Sequence, residues 1–185
     1  MKRRIAVLIA VSVLLILGLV SLVAARFLVF NYSRIPQDGM YPGIPKGSLV
    51  FSWRRPYQTA ADVKRGDIVI FTRIQDGAEY KFIWRVMGLP GDKVEIDGES
   101  ILINGLALQR KRLRQEFDLI IYSETNGASS YEVAYPVDSD PTDQPKASLI
   151  VPQNSFYVLG DNRFNALDSR FIGPITFDSI VEKKI

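Results

Sequence analysis

From Ile5 to Ala25 the chain runs for 21 residues without a charge. At 1.5 Å per residue a helix of that length spans about 30 Å, the thickness of a bilayer's hydrocarbon core, so a transmembrane helix is predicted over 5–25. Past it the period changes. Short apolar runs at Leu49-Val50-Phe51, Asp67-Ile68-Val69-Ile70-Phe71, Lys93-Val94-Glu95-Ile96 and Ser155-Phe156-Tyr157-Val158-Leu159 are separated by Gly, Pro, Asp and Asn. That is the pattern of an antiparallel β domain. Pro45-Lys46-Gly47, Arg65-Gly66-Asp67, Asp76-Gly77, Pro90-Gly91-Asp92, Asp97-Gly98 and Asn104-Gly105 carry the residue types of tight turns. Residues 30–185 show no helix-period stretch of useful length. The segment from Asn126 to Ala147, with Gly127 and three prolines, reads as an exposed excursion.

Charge orients the helix and removes some functions. Residues 1–25 hold Lys2, Arg3 and Arg4 and no acid, while the remaining 160 carry 20 basic and 20 acidic residues. The positive-inside bias therefore keeps residues 1–4 in the cytoplasm and puts 26–185 outside, with Arg26 and Arg34 weakening the bias slightly. A cleaved signal peptide, with small residues at Val23-Ala24-Ala25, is the rival reading. The apolar run exceeds the roughly 7–15 residues of a signal-peptide core and favours an uncleaved anchor. Either one exports the domain. With no basic excess on the folded part, no nucleic-acid partner is expected. The cluster Arg110, Lys111, Arg112 and Arg114 is followed at once by Glu116 and Asp118 and reads as a solvated strand or loop face. With no His and no Cys, imidazole triads, disulfides and thiolate or imidazole metal sites are excluded. Trp53, Tyr57, Arg54 and Arg55 fit either a membrane surface or an edge-strand core.

Four boxes follow the anchor: Arg34-Ile35-Pro36-Gln37-Asp38-Gly39-Met40-Tyr41-Pro42, Lys64-Arg65-Gly66-Asp67-Ile68-Val69-Ile70-Phe71, Trp84-Arg85-Val86-Met87-Gly88-Leu89-Pro90-Gly91-Asp92 and Gly160-Asp161-Asn162-Arg163-Phe164-Asn165-Ala166-Leu167-Asp168-Ser169-Arg170. In order and spacing the chain resembles the bacterial type I signal peptidases. The resemblance implies a mostly β protein: one N-terminal transmembrane helix, then an antiparallel β domain outside the cytoplasmic membrane. In that family the domain takes a signal peptide as an added strand and cuts it after small residues. No metal or organic cofactor is implied. The expected location is the bacterial cytoplasmic membrane, single-pass, with the N-terminus inside.

The positions that carry the family's chemistry read differently here. Gly39 stands where the resemblance places the nucleophilic Ser, and Gln37 where a Ser hydroxyl serves the oxyanion hole. Trp84 stands where a buried Lys of lowered pKa takes the Ser proton, and Ala166 where a Ser orients that Lys. Glycine has no side-chain nucleophile, indole no basic lone pair at neutral pH, and alanine no hydrogen-bonding group. Trp84 would either plug the small-residue pocket or give a bound peptide an apolar platform. Among neighbours that might substitute, Lys81 projects from the opposite face of a strand to Trp84. Ser33 lies six residues before Gly39. Ser169 is expected to bond nearby backbone; Asp38 could act as a general base for water, but aspartyl chemistry usually uses two carboxylates and nothing in the sequence names its partner.

Asp161, Asn162, Arg163, Asp168, Ser169 and Arg170, with Arg85, read as an ion and hydrogen-bond network under the site or as a supporting shell for a peptide groove. Met40 and Pro42 occupy groove and turn positions of the resemblance, with ordinary core the alternative for Met40. Three readings follow. The leading one is a non-catalytic, membrane-anchored homologue that binds exported peptides or a partner such as an active signal peptidase. The others are an active peptidase with unorthodox residues and a membrane-tethered structural or assembly factor.

Overall fold

The computed structural model describes residues 2–185. Met1, from the predicted 1–4 segment, lies outside the described residues, as do the side chains of Lys2, Ala6 and residues 24–28, which include Arg26 and two residues of Val23-Ala24-Ala25. Helix α1, Lys2–Val29, contains the predicted span and runs on to the start of the first strand. Mean hydropathy reaches 3.0 within Arg3–Val23, and none of that window is buried against the protein. A long helix apolar on every side needs an apolar solvent, so α1 fits a membrane anchor.

The rest is mostly antiparallel β. The strands are β1 Phe30–Arg34, β2 Leu49–Arg54, β3 Ile68–Gln75, β4 Ala78–Gly88, β5 Lys93–Asp97, β6 Ser100–Ile103, β7 Leu106–Ala107, β8 Gln109–Glu116, β9 Leu119–Asn126, β10 Ser129–Pro136, β11 Ala147–Ile150, β12 Ser155–Leu159, β13 Ile175–Thr176 and β14 Ile180–Lys184, with a one-turn helix α2, Ser169–Ile172, before β13. A seven-stranded sheet has the order β1-β2-β14-β3-β4-β12-β13, and two smaller sheets run β11-β5-β6-β7 and β10-β9-β8. The turns follow the sequence chemistry. Asp76-Gly77 closes β3 onto β4 and Asn104-Gly105 closes β6 onto β7, all four residues having positive φ.

One expectation is overturned. Asn126–Ala147 is not an excursion: its first part is β10, paired along its length with β9, and Val133, Ala134 and Tyr135 are buried. Gly127 and Pro136 bracket this strand, and Pro141 and Pro145 follow it, so the window's average composition hides the strand pattern inside it. Ala134 also bridges to Asn162, which fastens the three-stranded sheet to the last sequence box.

Two apolar clusters hold the domain. The larger includes Met40, Val50, Val69, Phe71, Trp84, Val86, Phe156 and Val158, and the smaller includes Met87, Val94, Ile96, Ile101, Tyr157 and Leu159. Strand β4 separates them, sending Trp84 and Val86 to one and Met87 to the other, as period-two alternation requires.

Directly after α1, one face of β1–β2 is exposed and largely aromatic. Phe30 pairs with Trp53 and Tyr32 with Phe51, and with Leu49 all are exposed. Exposed Arg34, Arg54 and Arg55 flank this strip. Tyr57 instead packs on the larger cluster and donates to Asp67 at 2.7 Å.

Buried Glu182 of β14 ties the strands next to α1 to the sheet, accepting from Ser52 Oγ of β2, Asn31 Nδ2 of β1 at 2.9 Å and Lys81 Nζ of β4 at 3.0 Å. Burial opposes its charge, but the hydrogen bonds from Ser52, Lys81 and Asn31 outweigh it and leave the carboxyl below its ordinary value. A carboxyl lowered by folding contributes stability that is complete above its unfolded value and lost as pH falls through its folded one. Wild type is therefore expected to unfold at higher temperature than Glu182→Gln at neutral pH. The difference should shrink as pH drops through the carboxylate range, followed by circular dichroism.

Candidate functional site

The site is assembled where the turn carrying Gly39 meets β4 and the loop after β12. Gly39 is buried, and its carbonyl accepts from Asn162 N at 3.1 Å. Tyr41 N donates to Asp38 O at 3.0 Å and Ile44 N to Met40 O at 2.8 Å, which closes the turn and buries Met40 in the larger cluster. Pro42 follows through a cis peptide bond. Gln37 is exposed.

Trp84 reaches this turn from β4, where it pairs with Val69. The indole is 1% exposed and its Nε1 donates to Leu167 O at 3.1 Å. A Cβ at position 39 would lie 2.5 and 2.6 Å from Trp84 Cη2 and Cζ3, and 3.0 Å from Asn165 O. No real Cβ tolerates a rigid ring that close, so the indole at 84 requires glycine at 39. Gly160 is similarly constrained: a Cβ there would collide with Ala166 Cβ, and would lie 2.6 Å from Gly39 O and 3.0 Å from Trp84 Cζ3. Gly39, Trp84, Gly160 and Ala166 thus form one close-packed knot that leaves no room for side chains at 39 or 160. Sequence reasoning brought three of these residues together and missed Gly160. It also gave no reason for the mutual dependence of Gly39 and Trp84, which only their contact reveals.

Beneath the knot lie three buried ion pairs. Arg85 donates to Asp161 through Nε at 2.7 Å and Nη2 at 2.6 Å, donates to Gly66 O at 2.9 Å, and stacks over Tyr131 with its Cζ 4.0 Å from the ring centroid. Burial pushes the Asp161 carboxyl up, against the opposing pull of Arg85. Arg163 donates to Glu124 through Nη1 at 3.0 Å and Nη2 at 2.5 Å, and to Gly160 O through Nε at 3.1 Å. Burial disfavours its charge, yet Glu124 holds its pKa well above the ordinary value. Asp168 caps α2, accepting from Arg170 N at 3.2 Å and from Gly160 N at 2.9 Å, and pairs with Arg170 Nη2 at 2.7 Å. Glu124 was not singled out from sequence; the signal was an acid inside a strand of Leu, Ile and Tyr, facing no obvious partner nearby in the chain.

Other candidate groups lie elsewhere. Lys81 is exposed on the far face of β4 and pairs with Glu182. Ser33 sits on edge strand β1 opposite Val50. Ser169 Oγ accepts from Val158 N at 2.9 Å. Asp38 accepts from Lys46 N at 2.6 Å and, among the described residues, shares no hydrogen bond with another carboxylate. Among the described residues no group of His, Cys, Asp and Glu is arranged to hold a metal.

The family model "Signal peptidase, peptidase S26" matches residues 5–185. Signal peptidase IB of Staphylococcus aureus (strain Mu50) is 30% identical over 162 residues, covering 87% of this chain and 78% of that protein. Signal peptidase I of Leptolyngbya laminosa is 29% identical over 184 residues, covering 96% of this chain and 74% of that one. The crystal structure of a signal peptidase I from Enterococcus faecalis V583 aligns with a TM-score of 0.38 and 26% identity, over 64% of this chain and 92% of that one.

Proposed function

The chain belongs to the signal peptidase family, peptidase S26, and from that membership we propose that it is a non-catalytic member, anchored in the cytoplasmic membrane with residues 26–185 outside, that holds exported polypeptides or a partner protein without cutting them. One observation carries this reading: Trp84 fills the space that a side chain at position 39 would need. A peptidase of this family needs a hydroxyl there and an amine at 84. This chain has a glycine and an indole that fit each other, with Ala166 packed against them. Binding can survive the loss of a nucleophile–base unit, because the surfaces that position a peptide are separate from the atoms that attack it. The test is cleavage of a preprotein with a small-x-small site by the full-length protein in detergent, beside Gly39→Ser/Trp84→Lys/Ala166→Ser.

The exposed strip on β1–β2 supports the membrane placement. Aromatic side chains with cations beside them are the composition of the lipid headgroup layer, and this strip begins one residue after the anchor ends. Trp53 is 48% exposed and Trp84 1%, so only Trp53 can meet lipid. Full-length protein in bilayers with brominated acyl chains is expected to show quenched tryptophan fluorescence, and Trp53→Phe should lose the quenching. Unquenched wild type would mean that the domain stands clear of the bilayer.

A further inference from the structure

The knot around Trp84 leaves no room for a side chain at 39 or 160, and an open cleft of about 570 Å³ lies directly outside it. Its walls are the turn before and after Gly39, the tip of the β8–β9 hairpin and the loop following Gly160. Resting on the reading that this chain holds polypeptides, we propose that the holding site is this cleft and that it takes an extended polypeptide by one cationic side chain, Lys or Arg, set among Tyr41, Phe117 and Phe164 and between the carboxylates of Asp38 and Asp118.

The hairpin tip is built in a costly way. Phe117 is 95% exposed and has φ +54°. A left-handed backbone is unfavourable for a bulky residue, and a two-residue hairpin turn ordinarily takes Gly, Asn or Asp. A phenyl ring there gives up both backbone comfort and burial, as binding positions do. The tip is also fixed in place. Glu116 accepts from Tyr41 OH and from Arg114 Nε, Arg114 is held by both oxygens of Glu132 at 2.8 Å, and Val137 N donates to Asp118 O at 2.8 Å. The tip carrying Phe117 and Asp118 is thus tied to the Gly39 turn through Tyr41.

The charges select the occupant. Two carboxylates and one ammonium, Lys46, line the cleft. Neither Asp38, Asp118 nor Lys46 has an ion-pair partner among the described residues, and the Asp38 side chain accepts from the Lys46 backbone N–H. A neutral or anionic group pressed into this space would desolvate carboxylates without compensation. A cation is drawn by the carboxylates and by the three aromatic rings that line the cleft. Lys46 is the opposing charge, and its removal should strengthen binding of a cation.

Full-length protein in detergent micelles would be titrated into two fluorescein-labelled, N-acetylated peptides, Ala-Leu-Ala-Lys-Ala-Leu and its Gln counterpart, read by anisotropy. The Lys peptide is expected to bind about tenfold tighter, the size of one well-placed cation contact. Asp118→Asn and Phe117→Ser, both at an exposed tip, should each weaken it roughly three- to tenfold, and Lys46→Gln should tighten it. Equal binding of the two peptides, indifferent to Asp118→Asn, overturns the cleft while leaving the peptide-holding reading in place. Affinity that responds to Trp84→Ala instead would relocate the site to the knot and also overturn the cleft. Absence of binding by either peptide overturns both.

Discussion

Preprotein cleavage is expected to be undetectable with the wild-type chain and with Gly39→Ser alone, and measurable when Gly39→Ser, Trp84→Lys and Ala166→Ser are combined. The reason is the contact of 2.5 Å that a Cβ at 39 would make with the indole. Gly39→Ser alone supplies a hydroxyl with no base. It also overpacks a site whose neighbours cannot give way, at a cost of about 1–3 kcal/mol. Trp84→Lys alone removes the obstruction but buries an amine with no hydroxyl to activate. The two changes relieve each other, so their effects on stability should be non-additive, with Gly39→Ser better tolerated in the Trp84→Lys background. Losing the nucleophile–base unit costs an enzyme roughly a thousandfold or more in rate, and restoring it should raise turnover by a comparable factor. Gln37, standing where the resemblance places the oxyanion Ser, is expected to keep the restored activity below that of an intact family site. Wild-type turnover that survives removal of contaminating peptidase would end the non-catalytic reading and direct attention to Asp38 and Lys81. A folded but silent triple variant would show that the groove has diverged along with the chemistry.

The parts of this architecture that were legible in the sequence are those set by local rules. The N-terminal apolar helix announced itself by length and the absence of charge. Hairpin turns announced themselves through Asp-Gly and Asn-Gly pairs, and Lys81 was placed on the face away from Trp84 by strand alternation alone. What escaped depends on contacts between distant segments. Strand β10 pairs with β9 and bridges to Asn162, so its burial is decided by partners that its own Gly- and Pro-flanked composition does not reveal. Glu124 becomes intelligible only once Arg163 is known to end beside it, 39 residues further along. Gly39 read as a missing Ser; in the structure it is a residue the neighbouring indole demands. The four boxes identified a scaffold, and the substituted positions described a second, self-consistent packing inside it.

Glu124→Ala is expected to destabilise the β domain by about 3–5 kcal/mol, the typical cost of removing one partner of a buried ion pair. Arg163 is 1% exposed and Glu124 fully buried, so the guanidinium left behind would have neither its carboxylate nor water. The loss spreads along defined hydrogen bonds. Tyr131 OH, 3.1 Å from Glu124 Oε1, loses that acceptor, and Arg163 also holds Gly160 O at 3.1 Å, one face of the knot around Trp84. Urea unfolding of the full-length protein in mild detergent, followed by near-ultraviolet circular dichroism, would measure it. Lys146→Ala, at the exposed pair with Asp97, is the control and should change little, because solvent already screens that pair. Replacing both buried partners, as in Glu124→Leu/Arg163→Met, should cost less than Glu124→Ala, since no charge is then left unpaired. A Glu124→Ala protein as stable as wild type would mean that Arg163 reaches water in solution. The loop from Gly160 to Arg163 would then be free to move, and a movable loop would loosen the packing that makes Trp84 a plug.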